Sequence, residues 1–270
     1  MGRLPRLIAT DIDGTLIHED HTLSRRTADT LARLVDSGTH VVLVTGRPVR
    51  WLSLVYEQLT VPVPAVCANG AVVYDPVADA VLRADPLAPD LLAEVARRLR
   101  AEVPGAVFAV EVEDGRSMRH DPTWPIRPYE DDHPAVRPFD TDADLMAAPA
   151  VKLLVRAGDR DPDLFVKLVA GAVAGLAEAT HSSNSGLVEI SAAGVTKAAG
   201  LAWLCSRYGI DESEVLAFGD MPNDVPMLAW AGRSVAVANA HPRVLEIADD
   251  RTGSNDEDGV AAYLDGLFPA

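Results

Sequence analysis

Nine residues near the amino terminus, Ile8-Ala9-Thr10-Asp11-Ile12-Asp13-Gly14-Thr15-Leu16, restrict this chain more than any others. An apolar run stops abruptly at two aspartates one residue apart, followed by a glycine and a threonine. Strands of a parallel sheet are covered on both faces, so they read as near-continuous apolar runs and turn polar where they leave the sheet. Asp11 and Asp13 therefore belong on a loop at the carboxyl end of a strand, the edge at which open α/β sheets bind ligands. Two carboxylates ~4 Å apart repel by about 4 kcal/mol at an effective dielectric of about 20. A bound cation or a proton on one carboxyl relieves that repulsion. A calcium loop of the EF-hand kind needs glycine at its sixth position and glutamate at its twelfth. Counted from Asp11, those positions hold Leu16 and Thr22, which excludes it. A solvated acidic turn stays open for this stretch taken alone.

The rest of the chain supplies the context. Ser24 caps a helix whose Ala28, Leu31, Ala32 and Val35 recur at helical spacing, and Gly38 closes it. Val41-Val42-Leu43-Val44 is a second buried strand, ending in Thr45-Gly46-Arg47. Strand, helix, strand in that order is a right-handed crossover, so Thr45 emerges at the same sheet edge as Asp11. A helix is expected over Val49–Leu59, then a strand at Ala65–Ala68, a tight turn at Asn69-Gly70 and a strand at Ala71–Asp75. Asp85-Pro86-Leu87-Ala88-Pro89 punctuates the chain like a hinge.

From 86 to 187 the pattern becomes that of a small α+β insert. Helices are expected at Asp90–Glu102 and Pro162–Val173, strands at Val107–Val112 and Val151–Arg156, and a polar stretch at Arg116–Pro138. Leu187–Ile190 reads as a strand returning to the main body. There Thr196-Lys197 opens a helix closed by Gly209, and Val215–Phe218 is a third buried strand ending in Gly219-Asp220-Met221-Pro222-Asn223-Asp224. The expected fold class is α/β: a Rossmann-like doubly wound parallel sheet from 1–85 and 188–270, with an α+β domain inserted at 86–187.

A formal charge of −16, from 40 acidic and 24 basic residues, repels nucleic acid and anionic membranes, so neither is expected as a partner. It also repels small anions unless cations are concentrated locally. Cys67 and Cys205 sit in apolar segments without the spacing of a metal clip or redox pair, as in a reduced compartment. The most apolar helical run, Leu164–Leu176, contains Lys167 and is too short to span a bilayer. No apolar stretch of signal-peptide length precedes Asp11, and a soluble cytoplasmic protein is expected.

Three apolar strands thus end in Asp11/Asp13, Thr45/Gly46 and Asp220/Asn223/Asp224. If they lie parallel, four carboxylates converge on one edge, and so hard an oxygen set suits Mg²⁺. Lysine is scarce here, and Lys197 stands at a helix start, where a phosphate also meets backbone N–H groups. Carboxylates, Mg²⁺, a lysine, a hydroxyl and backbone donors together suit a transferring phosphoryl group. Singly, the alternatives are plain: a strand-ending turn at Thr45-Gly46-Arg47, a solvated Lys197, a helix-capping cluster at Asp220–Asp224.

Asp11-Ile12-Asp13-Gly14-Thr15, Thr45-Gly46-Arg47, Lys197 and Gly219-Asp220-Met221-Pro222-Asn223-Asp224 resemble the four motifs of the haloacid dehalogenase-like phosphatases. The insert between the second and third motifs is similar to that of the Cof-type subgroup, as are Cys67-Ala68-Asn69-Gly70-Ala71 and Asn255-Asp256-Glu257-Asp258-Gly259-Val260-Ala261. Pro226 departs from the pattern, at a place where a first helical turn tolerates it. The resemblance implies Asp11 as nucleophile and Asp13 as general acid and base. It implies Mg²⁺ on the Asp11 carboxylate, the Asp13 backbone carbonyl and Asp220, with Asp224 acting through water or by orienting Lys197. Thr45, Gly46, Lys197, Asn223 and the Ile12 N–H would cradle the phosphate, and Arg47 and Asn69 would touch the substrate. The insert would be a cap that sets specificity, with Arg116, Arg119, His120, Trp124 and Arg127 as candidates.

The expected partner is a small phosphorylated metabolite, a sugar phosphate first among them, met by a monomer or homodimer. A phosphotransferase or phosphomutase on sugar phosphates is the second reading, and a non-catalytic phosphometabolite sensor the third.

Overall fold

The computed structural model describes residues 4–127, 130–131, 133–158, 160–181 and 186–268. The first third of the chain runs through β1 (Leu7–Thr10), α1 (Arg25–Asp36), β2 (His40–Val44), α2 (Ser53–Tyr56), β3 (Ala65–Cys67), β4 (Val72–Asp75) and β5 (Ala80–Ala84). The middle supplies α3 (Pro89–Glu102), β6 (Val107–Val112), β7 (Ser117–His120), β8 (Val136–Pro138), α4 (Asp142–Leu145), β9 (Ala150–Arg156), α5 (Pro162–Ala172), β10 (Ala177–Thr180) and β11 (Leu187–Ala192). The last part adds α6 (Lys197–Tyr208), β12 (Val215–Gly219), α7 (Val225–Trp230), β13 (Arg233–Ala236), α8 (Pro242–Ile247), β14 (Asp250–Arg251) and α9 (Gly259–Leu267). Two compact units result: Met1–Arg47 with Trp51–Leu82 and Thr196–Ala270, and Pro48–Arg50 with Arg83–Val195.

The first unit is built on an eight-stranded sheet in the order β14-β13-β12-β1-β2-β3-β4-β5. All four residues of β1 are buried, and its neighbours β2 and β12 run parallel to it, Leu7 facing His40 on one side and Val215 on the other. Parallel pairing sends the residues after β1, β2 and β12 to one edge, which is where Asp11, Thr45 and Asp220 stand. Beyond β3, which is still parallel to β2, the sheet changes direction: β3 and β4 pair antiparallel, joined through Asn69 at φ 58° and Gly70 at φ 105°. Helix α1 starts where the Ser24 hydroxyl accepts the Thr27 N–H, and buries Ala28, Leu31 and Leu34. Helix α6 starts on the Thr196 hydroxyl, which accepts the Ala199 N–H, and stops at left-handed Gly209.

The second unit has a six-stranded sheet in the order β10-β11-β9-β6-β7-β8, antiparallel except for β7 with β8. Strand alternation sends Phe108, Val110, Leu153, Val155, Val188 and Ile190 into one cluster with Leu92 and Leu99 of α3 and Phe165 and Val169 of α5. A smaller cluster holds Ala109, Met118, Trp124 and Leu154.

Three expectations change. The strand expected to return to the main body at Leu187–Ile190 instead pairs with β9 and β10 of the insert, and the change of unit falls between Val195 and Thr196. Its Val188 and Ile190 are drawn to the apolar cluster of α3 and α5. The helix expected over Val49–Leu59 is only α2, after a 3₁₀ turn at Val49–Trp51, because Pro48–Arg50 belong to the second unit. The polar stretch at Arg116–Pro138 contains β7 and β8, whose charged residues mask a strand pattern in the way edge strands do.

Candidate active site

Lys197 is the first residue of α6, and its side chain is fully buried. Its ammonium donates to Asp11 Oδ1 and to Asp224 Oδ1, each at 2.5 Å. Asp224 spends its other oxygen on the backbone N–H groups of Asp220, at 3.0 Å, and Met221, at 2.9 Å. It thereby fixes the loop that carries Asp220. The Thr15 hydroxyl donates to Asp220 Oδ1 at 2.8 Å, which ties the β1 loop to the β12 loop. Gly14, at φ 77°, lies so close that a Cβ there would come within 2.5 Å of Asp220 Oδ2. One carboxylate oxygen each from Asp11, Asp220 and Asp224 falls within 4.8 Å of the others, and all three residues are buried.

Burial pushes the Asp11 carboxyl well above its ordinary value; Lys197 opposes this, and Asp224, Asp220 and Asp13 add to it. Burial and the Asp224 charge push Asp220 up to about 7 against the opposing Thr15 hydrogen bond. Burial alone would pull Lys197 down, but Asp11 and Asp224 outweigh it and hold the ammonium protonated. Three carboxylates against one ammonium leave a double negative charge in a desolvated place, and a divalent cation brings that sum to zero. The donor set is all oxygen and fits Mg²⁺.

Asp13 points elsewhere. Arg47 Nε donates to Asp13 Oδ2 at 2.7 Å and Arg47 Nη2 to Asp13 Oδ1 at 2.6 Å, a two-pronged fork. His21 Nδ1 lies 3.9 Å from the same carboxylate. Burial raises the Asp13 carboxyl, but the hydrogen bonds and charge of Arg47 prevail and hold it below its ordinary value. Arg47, expected to touch the substrate, is mostly buried and is engaged with Asp13. The Thr45 hydroxyl accepts the Arg47 N–H at 3.0 Å, and the Thr45 N–H donates to the Val66 carbonyl at 2.8 Å. Asn69 Oδ1 accepts from Asn223 Nδ2 at 3.1 Å, and Asn223 Oδ1 is buried without a partner.

In the second unit, the Arg119 guanidinium donates to the Asp144 carbonyl at 2.9 Å, and Trp124 is buried under the guanidinium of Arg156. Sequence reasoning left the Arg47–Asp13 fork and the Thr15–Asp220 bond unread. Thr15 follows Asp-Gly in the first motif, so its position was a signal; nothing local to Arg47 announces Asp13 as its partner.

The family model described as haloacid dehalogenase-like hydrolase matches residues 8–264. The chain is 32% identical over 266 residues to the 5-amino-6-(5-phospho-D-ribitylamino)uracil phosphatase YitU of Bacillus subtilis, covering 98% of each. It is 30% identical over 270 residues to the pyridoxal phosphate phosphatase YbhA of Escherichia coli, covering 96% of this chain and 97% of that one. A solved haloacid dehalogenase-like hydrolase from Bacillus subtilis superposes with a TM-score of 0.83 at 24% identity, over 97% of this chain and 99% of the other. By its motifs, its fold and these matches, the chain belongs to the haloacid dehalogenase-like hydrolases, in the Cof-type group, and is a hydrolase of phosphoric monoesters.

Proposed function

We propose that the chain hydrolyses primary alkyl phosphates of small metabolites through an aspartyl-phosphate on Asp11, with Mg²⁺ as its cofactor. One observation carries the reading: the buried Lys197 ammonium joins Asp11 to Asp224 beside the Asp220 carboxylate. A phosphate sensor needs a cation for its ligand but no carboxylate poised against it.

In the first half-reaction an Asp11 oxygen attacks phosphorus in line with the ester oxygen, and the bond to that oxygen breaks. Asp13, once it has taken up a proton that its pairing with Arg47 disfavours in the free protein, gives that proton to the departing alkoxide. In the second half, Asp13 takes a proton from the water that attacks the same phosphorus, and Asp11 leaves as a carboxylate, releasing inorganic phosphate. Thr45, Gly46, Lys197, Asn223 and the Ile12 N–H hold the phosphate oxygens. Mg²⁺ would be held by Asp11, Asp220 and the Asp13 backbone carbonyl, and supplies positive charge against the phosphate. Asp224 positions Lys197 and the Asp220 loop, since both its oxygens are already taken.

The first unit is assigned to catalysis, and substrate choice to the second, whose main segment is Arg83–Val195. The names of the two relatives identify substrates that carry a phosphate on a primary alcohol attached to a heterocycle. Sugar phosphates share that ester. The test is phosphate release from 5-amino-6-(5-phospho-D-ribitylamino)uracil, pyridoxal 5′-phosphate, sugar phosphates and nucleotides, with Mg²⁺ and with EDTA. Mg²⁺-dependent release from one compound far above the rest is expected. Asp11→Asn is expected to abolish release while the far-ultraviolet circular dichroism stays unchanged; appreciable residual turnover would sink the nucleophile assignment. Tight binding without release, under Mg²⁺, would favour the sensor.

A further inference from the structure

The tail motif Asn255–Ala261 adds no carboxylate to the Asp11, Asp220 and Asp224 cluster, yet its first residue reaches the loop after β1, within the first unit. Asn255 is buried, and its Nδ2 donates to the Ile17 carbonyl at 2.9 Å. Its backbone N–H donates to Asn239 Oδ1 at 3.0 Å. Asn239 Nδ2 in turn donates to the Gly14 carbonyl at 2.7 Å. The partners leave one orientation for the Asn239 amide, since a backbone N–H meets only its oxygen and a carbonyl only its nitrogen. Asn239 stands on the loop between β13 and α8, and two residues on, the His241 N–H donates to the Asp220 carbonyl at 2.8 Å. One loop therefore grips both segments that carry candidate Mg²⁺ ligands.

The need for such a grip follows from Gly14. With φ at 77° and Asp220 Oδ2 only 2.5 Å from where a Cβ would lie, the position demands glycine. Glycine is also the residue whose backbone turns most freely. The Asp13 carbonyl belongs to the peptide that ends at the Gly14 nitrogen, so unrestrained rotation there would swing that carbonyl away. Inside the turn, the Leu16 and Ile17 N–H groups both donate to the Ile12 carbonyl, at 2.9 and 3.1 Å. From outside, Asn239 holds the Gly14 carbonyl and Asn255 the Ile17 carbonyl. Between those two holds lies Thr15, whose hydroxyl donates to Asp220.

We propose that Asn239 and Asn255 form a brace on the Gly14–Ile17 turn and are positioning residues for the Mg²⁺ site. The brace keeps the Asp13 carbonyl and the Thr15–Asp220 bond where the cation needs them, without either asparagine touching substrate. The proposal rests on the reading that Asp11, Asp220 and the Asp13 carbonyl hold Mg²⁺.

A positioning role shows in the affinity for the cation, a structural one in the stability of the cation-free protein. Calorimetric titration with MgCl₂ gives the first, and the melting temperature in EDTA gives the second. The proteins are wild type, Asn239→Ala, Asn255→Ala, the double variant and Asp220→Asn. Asn239→Ala is expected to raise the Kd for Mg²⁺ on the order of tenfold, the lower end of what losing an outer-shell partner costs. Its melting temperature in EDTA should stay near that of wild type, because Asn239 is exposed. Asn255→Ala should raise the Kd similarly, and the double variant little more than either, since the two act as one brace.

An unchanged Kd in folded Asn239→Ala overturns the proposal, whatever happens to the melting temperature. Single losses that multiply in the double variant mark two separate contacts and overturn the brace. Should Asn255→Ala fail to fold, Asn239→Ala decides alone. If Asp220→Asn itself leaves Mg²⁺ binding unchanged, the cation lies elsewhere, and the inference falls with that reading for a separate reason.

Discussion

At the scale of residues, the site holds more negative charge than it can keep. Asp220 carries a value of about 7 in the folded protein against an ordinary 3.8. A carboxyl raised on folding favours the folded state while it is protonated, and that contribution is lost as pH rises through the folded value. With EDTA present, the protein is therefore expected to lose stability between about pH 4 and about pH 7, and Asp220→Asn should flatten that slope. Mg²⁺ competes with the proton, so its stabilising effect should be larger at about pH 8 than at about pH 5.5. Thermal melts across that range, with and without Mg²⁺, check this. A Mg²⁺ shift independent of pH would count against the buried cluster as its binding site. The meeting of Asp11, Lys197, Asp220 and Asp224 is legible in the sequence because each stands where an apolar run ends or a helix starts. The Arg47–Asp13 fork is not, since a pairing between neighbouring loops leaves no period in either segment.

At the scale of elements, α6 brings Lys197 to Asp11 only because it lies almost on the β3–β4 turn. A Cβ at Gly200 would meet Val66 Cγ1 at 2.5 Å and Gly70 Cα at 3.0 Å, and one at Gly70 would meet the Thr196 carbonyl oxygen at 2.0 Å. Gly200→Ala is expected to destabilise the protein by about 1–3 kcal/mol, as overpacking does, and to lower kcat by pushing Lys197 off its two carboxylates. Urea denaturation and steady-state kinetics measure the two effects; a fall in stability with kcat intact would detach α6 from the alignment. Elements with one clear face, such as α1, β6 and α3, are readable from periodicity. Strand β11 reads as part of the main body yet pairs with β9 and β10, because period two reveals that a face is buried, not which sheet supplies the neighbour. The shortness of α2 is equally hidden, since the expected helical pattern takes in Arg50, whose partners are Glu111 and Glu130.

At the scale of the whole molecule, the second unit is not one continuous piece of chain. A fragment spanning 83–195 lacks Arg50, and burial already raises Glu111 above its ordinary value with Arg50 in place. The fragment is expected to be less stable at about pH 7.5 than at about pH 5, because the Glu111 carboxyl, without Arg50 to oppose its burial, folds more readily protonated. Removing one partner of a buried ion pair costs about 3–5 kcal/mol, and Glu111→Gln in the fragment should recover part of it. Equal urea midpoints at the two pH values would show that the Arg50–Glu111 pair contributes nothing to the unit.

The position of β1 also governs when the enzyme comes into being. Its Leu7 pairs with Val215, so one flank of the central strand stays open until most of the chain has left the ribosome. Until then β1 offers an unpaired apolar edge, which invites pairing with other nascent chains. Asp11, which follows the first strand, waits throughout synthesis for Lys197 and Asp220. A product of translation that ends before β12 lacks Asp220, and a ribosome that stalls inside the insert releases an aggregation hazard in place of an enzyme.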